Sequence, residues 1–400
     1  MTKKKVVFLS FSVAILLSLL GGALFGQAAQ KKENNNFRYL SIFTEVFELV
    51  RNNYVEAVPA DQLMDGAFAG VTDAIDEFSY YVPPAQMPVY KAVAEKLTDE
   101  DNGVGLIVTK RFGYGFVVSP VAGSPAAKAG IERGDFIEKI GGQPTAKMTV
   151  WQLRNALRTA NPLQLQILRG GQTKRDDFTI KPAAFHPLAI TTQQFGRVAY
   201  IKVPFFEKGT AAQFRAALQN VHKAGSRQLI IDLRGNAGGD VDEAIAAADE
   251  LLTSGLITSL AGQKIEGRQW QADRETAYDG SVEVLQDNAT AAGAEIFAAA
   301  IHGNGRGKTV GVTSFGKSIS QRLITLPSGG AVYMTVGHYT SPDLKPIKDA
   351  GVKPDVVVDL TAQAIREPGA AVDKTKPRED LILNKALQLF NEEPAAKKAA

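Results

Sequence analysis

The chain has 400 residues, 45 basic against 42 acidic side chains, 45% apolar residues and no cysteine. That composition is globular, not disordered, and the length suits two or three domains at roughly 150 residues each. The lack of cysteine excludes disulfides, thiolate metal sites and a cysteine nucleophile. Four scattered histidines, at 186, 222, 302 and 338, give no local metal site, no cofactor is expected, and a net charge of +3 speaks against a nucleic-acid partner.

The N-terminus reads as an address. Lys3, Lys4 and Lys5 precede an apolar run from Val6 to Phe25, and Gly26-Gln27-Ala28 offers small residues at the spacing a signal peptidase needs. Residues 1–28 are therefore expected to be a signal peptide or, because the run 6–25 is just long enough to span a bilayer, a membrane anchor. Positive-inside logic leaves the rest of the chain exported in either case, in the periplasm or on the extracytoplasmic face of the membrane. The three lysines account for the whole excess of charge, so the exported body is neutral.

Residues 31–36 form a polar linker. From Phe37, the apolar residues Leu40, Phe43, Val46, Phe47 and Val50 fall at helical spacing. A second helix is expected from about Ala60 to Phe78, ended by Pro83-Pro84. Residues 103–172 read as a small β-rich module with two helices. One is short, with Ser124 at the N-cap, Pro125 at the first helical position and Gly130 just past the end. The other runs from about Thr149 to Arg158.

Residues 178–360 alternate strands and helices. Thr210 to Gln213 is expected to be a capping box opening a helix with Phe214, Leu218 and Val221 on one face. Gln228 to Leu233 fits a buried strand. A C-terminal helix around Leu381–Leu389 precedes an Ala/Lys/Glu-rich tail that is expected to fray.

Three blocks carry chemistry. Gly103-Val-Gly-Leu106, with the run from Ser124 to Ile140, resembles a PDZ domain. The backbone N–H groups of Val104, Gly105 and Leu106 are expected to cradle a chain-terminal carboxylate, and the adjacent strand edge to accept a peptide as an extra strand. A dinucleotide fingerprint would need glycine where Val108 stands. Asp232 to Gly239 is a buried strand ending in a Gly-rich turn, which can point N–H groups into one space as an oxyanion hole does; alone it is equally a tight turn. In Phe315 to Gln321, Lys317 would serve as a base only if buried.

In this order the blocks resemble the carboxyl-terminal processing peptidases, or tail-specific proteases, over roughly residues 37–390. The resemblance includes Asp76-Glu-Phe-Ser-Tyr-Tyr81 and Gly351-Val-Lys-Pro-Asp355. It implies an α/β multi-domain fold: a helical N-terminal region (37–90), an inserted PDZ domain (91–175), a ClpP/crotonase-like protease core (178–360), and a C-terminal helix and tail (361–400). The implied activity is that of an exported serine-type endopeptidase working through a serine–lysine mechanism. Its PDZ domain would hold protein substrates by their C-terminal tails. Lys317 takes the place of the general base and Gln321, four residues on, that of the residue orienting it. The oxyanion hole would fall to Gly293 with Gly238 or Gly239.

The nucleophile position departs from the family. It lies three residues before Glu295 and 25 before Lys317, and both countings reach Ala292. A methyl group cannot attack a carbonyl, so the chain as written is expected to be inactive or nearly so. Three readings stand: a Ser→Ala trap, a natural relative that lost serine catalysis, or a nucleophile elsewhere. Thr290 is the only nearby hydroxyl and would point about 200° away on a helix. The competing class is a PDZ-containing peptide-binding adaptor or scaffold. The segments 37–78 and 381–389 could pair two copies in a homo-oligomer, or simply pack. Gly311 to Ser318 also satisfies the P-loop pattern, but a P-loop must lead into a helix and Ile319–Leu326 is β-like, so the NTPase reading is rejected.

Overall fold

The structure, a computed structural model, describes residues 37–94, 103–169, 175–186, 188–360 and 379–392. The leader 1–28, the linker 31–36 and the tail beyond 392 lie outside them. The chain divides into two compact units, 1–70 and 71–400.

In the first unit, residues 37–53 form helix α1, as the spacing predicts. Large apolar side chains of this helix stand exposed, Phe37, Tyr39 and Leu40 by more than 60% each. Helix α2 (Ala60–Asp73) begins in this unit. Among the described residues, no helix is long and apolar enough to cross a membrane; the run 6–25 is not among them.

The second helix stops at Asp73, short of the expected Phe78. Asp76 accepts the backbone N–H groups of Phe78 at 3.0 Å and Ser79 at 2.7 Å, turning the chain out of helical geometry. The aromatic and β-branched run Tyr80–Val82 then forms β1.

After α3 (Met87–Ala94) comes an antiparallel sheet of β2 (Leu106–Arg111), β3 (Tyr114–Pro120), β4 (Phe136–Ile140), β6 (Leu163–Leu168) and β7 (Arg175–Ile180), with the short β5 (Gln143–Pro144) on β4. Strands β2 and β7 are its edges. The helices are α4 (Pro125–Ala129) and α5 (Val150–Thr159). Their ends follow local rules: Ser124 Oγ accepts from Ala127 N–H, Gly130 takes the left-handed conformation, and Thr149 with Gln152 closes a capping box.

The rest is built on a six-stranded sheet in the order β17-β14-β13-β10-β9-β8. Its strands are β8 (Thr191–Phe195), β9 (Val198–Lys202), β10 (Gln228–Asp232), β13 (Ser281–Gln286), β14 (Gly307–Gly311) and β17 (Val356–Val357). All neighbours run parallel except β8 against β9. Helices α6 (Thr210–Lys223), α7 (Val241–Asp249) and α8 (Gly293–Gly303) cover one face, and α9 (Leu381–Glu392) the other.

Strand alternation divides the core. Leu229 and Ile231 of β10 join Phe214, Leu218 and Phe297 on the three-helix side, while Ile230 joins Ile382, Ala386 and Phe390 of α9. A five-stranded antiparallel sheet runs β1-β16-β11-β12, with β15 (Ile319–Thr325) pairing β16 (Ala331–Thr340); β11 spans Leu256–Ala261 and β12 Arg268–Gln271.

The capping box expected at Thr210 does not form. Gly209 is the N-cap, and Thr210 Oγ1 accepts from Glu207 N–H. A carboxylate from another helix satisfies this end: Glu243 of α7 accepts from Gly209 N–H and Ala211 N–H, each at 2.8 Å.

Candidate active site

The adjacent parallel strands β10 and β13 end side by side, and the segments that follow them are tied together. Ala291 N–H donates to Asn236 O at 2.9 Å. Buried Asp287 accepts from Gly235 N–H at 3.1 Å and Ala289 N–H at 3.0 Å, and is ion-paired with Arg133 from the loop before β4. Thr290 is wholly buried; its hydroxyl accepts from Asp287 N–H and donates to Leu233 O. That engagement leaves it badly placed to replace a missing serine.

Two residues on, Ala292 is half-buried, with φ 52° and ψ −118°. An L-residue held there costs of order 1–3 kcal/mol and persists only where its surroundings over-determine it. Such a turn from strand into helix exposes the first side chain above the helix N-terminus. Two glycines hold the backbones close. A Cβ on Gly293 would come within 2.9 Å of the Ala244 methyl, and one on Gly239, at φ +106°, within 2.0 Å of Phe206 O. Gly238 is buried beside Phe205.

The third segment, Ser314–Ser318, is joined to residue 292 through Glu295. This carboxylate is wholly buried and accepts from Ala292 N–H (3.0 Å), Ser314 Oγ (2.5 Å), Gly316 N–H (2.6 Å), Lys317 N–H (2.8 Å) and Ser318 Oγ (3.1 Å). Burial pushes the Glu295 carboxyl up, and the donors pull against that shift. Ser318 Oγ also donates to Ala292 O. Nothing in the sequence reading singled out Glu295 beyond its use as a landmark. Its signal was the spacing: a residue at the N-cap with Glu three positions later is a capping box. Here only the Glu half is made, because Ala292 has no side-chain oxygen.

Lys317 is 8% exposed, and its Nζ lies 5.7 Å from the centre of the Phe78 ring. Gln321 Nε2 donates to Phe78 O at 3.1 Å. The block Asp76–Tyr81 and the lysine block therefore meet at Phe78, a residue the sequence reading did not single out. The backbone N–H groups of Gly316 and Lys317 go to a carboxylate and the chain continues into β15, so the P-loop pattern builds no phosphate site.

Val104, Gly105 and Leu106 are buried at the start of edge strand β2. Their loop is fixed from the inside: Val104 O accepts from Ala126 N–H and Gly105 O from Val121 N–H. The β2–β3 hairpin also reaches the site. Ile107, Phe116 and Val118 form one apolar cluster with Phe205, Ala237 and Ala291.

Behind the turn, Asp232 is 1% exposed and accepts from Tyr200 Oη (2.7 Å), Lys202 Nζ (3.0 Å) and the Arg234 guanidinium. Burial alone would raise its pKa, but Lys202 and Arg234 overcome it and hold the carboxyl well below the usual carboxylate range.

Residues 197–358 match Peptidase family S41 and residues 116–168 a PDZ domain. A carboxy-terminal-processing protease of Bartonella bacilliformis is 31% identical over 365 residues, covering 89% of this chain and 83% of the relative. The carboxy-terminal processing protease CtpA of Bacillus subtilis is 27% identical over 383 residues, 92% of this chain and 79% of the relative. Among solved structures, a photosystem II D1 C-terminal processing protease superposes with a TM-score of 0.64 at 22% identity. That match spans 79% of this chain and 92% of the other, and it is a likeness of fold.

Proposed function

The chain belongs to peptidase family S41, among the carboxy-terminal processing serine proteases, and from that membership we propose an exported protein that takes protein substrates by their C-terminal tails and carries a serine–lysine site lacking its serine oxygen. The observation that carries the catalytic part is Ala292 on its positive-φ turn, linked by the Glu295 carboxylate to the loop of Lys317.

With serine at 292, Lys317 Nζ takes the hydroxyl proton as Oγ attacks the scissile carbonyl, and returns it to the leaving amine. Gln321, anchored on Phe78 O, orients the lysine. The N–H of Gly293 and one from Gly238 or Gly239 hold the tetrahedral oxyanion, where each such donor is typically worth about 100- to 1000-fold in rate. The loop of Val104, Gly105 and Leu106 receives the tail carboxylate. Water activated by the same lysine then releases the acyl group. With Ala292 the sequence stops before the first bond forms.

The test is cleavage of an unfolded protein with an apolar C-terminus. The chain should be inactive, Ala292→Ser should cut, and adding Lys317→Ala should abolish cutting. If Ala292→Ser is silent while the chain still binds the tail peptide, the second reading takes over: a PDZ-containing peptide-binding scaffold, which Ala292 itself favours. Export rests on residues 1–28 and is checked by cell fractionation. The exposed apolar residues of helix 37–53 support self-association, which sedimentation of the chain with and without that helix would read.

A further inference from the structure

The C-terminal helix is bound to the Gly-rich turn by an ion pair that spans 146 residues of sequence. Asp380 Oδ1 lies 2.5 Å from Arg234 Nη1, and Oδ2 lies 2.9 Å from Nη2. The other edge of the same guanidinium faces Asp232, with Nε 3.0 Å from both oxygens and Nη2 2.6 Å from Oδ2. Arg234 is thus clamped between two carboxylates, its side chain only 17% exposed. Lys202 Nζ fixes its carbonyl oxygen at 2.5 Å.

Arg234 opens the turn whose other members touch the loop of residue 292. Gly235 N–H goes to Asp287, and Asn236 O receives Ala291 N–H. Gly238 and Gly239 follow after Ala237. A bidentate guanidinium–carboxylate pair fixes both distance and plane. Its Asp232 half comes from the strand below the turn, and its Asp380 half from the start of the C-terminal helix.

We propose that Asp380, at the start of α9, is a positioning residue for the oxyanion turn 233–239, so that the C-terminal helix is part of what shapes the site and not only a cover for the sheet. This rests on the proteolytic reading for its consequence in rate, though not for the mechanical link itself.

Asp380 also caps its own helix, accepting from Leu383 N–H at 3.0 Å, so the test must separate the two duties. Asp380→Asn keeps a capping oxygen but loses the charge and one of the two acceptors facing Arg234. Asp380→Ser keeps a cap and reaches Arg234 with neither oxygen. Backbone hydrogen exchange in the full chain should quicken about 10-fold over 233–239 in D380N, and at least as much in D380S, as expected for losing a charge-assisted bond. Exchange over 381–392 and in β14 should not change. Unchanged exchange over 233–239, or equal quickening of α9, would reduce Asp380 to a helix cap and overturn the proposal.

In the Ala292→Ser background, D380N should lower kcat about 10-fold with KM within about twofold. A loss confined to KM, or none, would contradict it. Because exchange needs no turnover, an inactive Ala292→Ser enzyme would count against the proteolytic reading alone.

Discussion

Glu295→Gln tests the link between residue 292 and Lys317. In the native chain Oε1 accepts from Ser314 Oγ and Gly316 N–H, and Oε2 from Ala292 N–H, Lys317 N–H and Ser318 Oγ. An amide keeps one acceptor oxygen. Placing its nitrogen at the Oε2 position would orphan two backbone donors, Ala292 and Lys317. Placing it at Oε1 orphans one, Gly316, which is the lesser loss. One unpaired buried N–H, with the loss of charge assistance to the remaining bonds, amounts to about 2–4 kcal/mol. Burial already opposes the charged carboxylate, and an amide escapes that penalty, so the low end near 2 kcal/mol is expected.

Thermal unfolding should then shift down by about 4–8 °C, at about 2–4 °C per kcal/mol for domains of this size. At 25 °C the protein stays folded, yet in the Ala292→Ser background kcat should fall about 100-fold, the scale of a misplacement near 1 Å between reacting groups. A Glu295→Gln protein that melts within about 1 °C of its parent and cuts within about twofold of it would refute this role for the carboxylate.

Ala292→Gly should stabilise the chain by up to about 1 kcal/mol, because glycine accepts φ 52° without strain; a lower melting temperature would count against the strained turn. Glu243→Ala should cost about 1–2 kcal/mol by stripping Gly209 N–H and Ala211 N–H of their acceptor, read by thermal or denaturant melts. Asp232 has a depressed folded pKa, so its contribution is complete above the unfolded value near 3.9 and lost as pH falls through the folded pKa. Melting temperature should therefore drop below about pH 4 for the chain and more shallowly for Asp232→Asn, whereas parallel curves would exclude Asp232 as the source.

The legible part of the sequence was local. Ser124-Pro125 with Gly130 and the apolar run 228–233 each carry their instruction within one turn or strand; the short helix formed as read, and the strand formed over Gln228–Asp232, one residue shorter. Family spacing located residue 292, and the structure gives that residue the strained turn. The misread element ends involve competition or distance. Asp76 captures two N–H groups and stops a helix whose apolar pattern runs on. At Gly209 the end is satisfied by Glu243, 34 residues away, so Thr210 has no cap to make. Glu295 could have been noticed from its capping-box spacing, but not its grip on the lysine loop. The pairing of Asp380 with Arg234 had no local signature, since its partner lies 146 residues earlier.

The most direct measurement is covalent labelling with a fluorophosphonate, the modified residue being located by peptide mass spectrometry. Ala292→Ser should be labelled at residue 292 alone, Ala292→Ser/Lys317→Ala should lose the label, and the chain as written should take none. Label on Thr290, Ser314 or Ser318, or none on Ala292→Ser, would contradict a serine–lysine site built around residue 292.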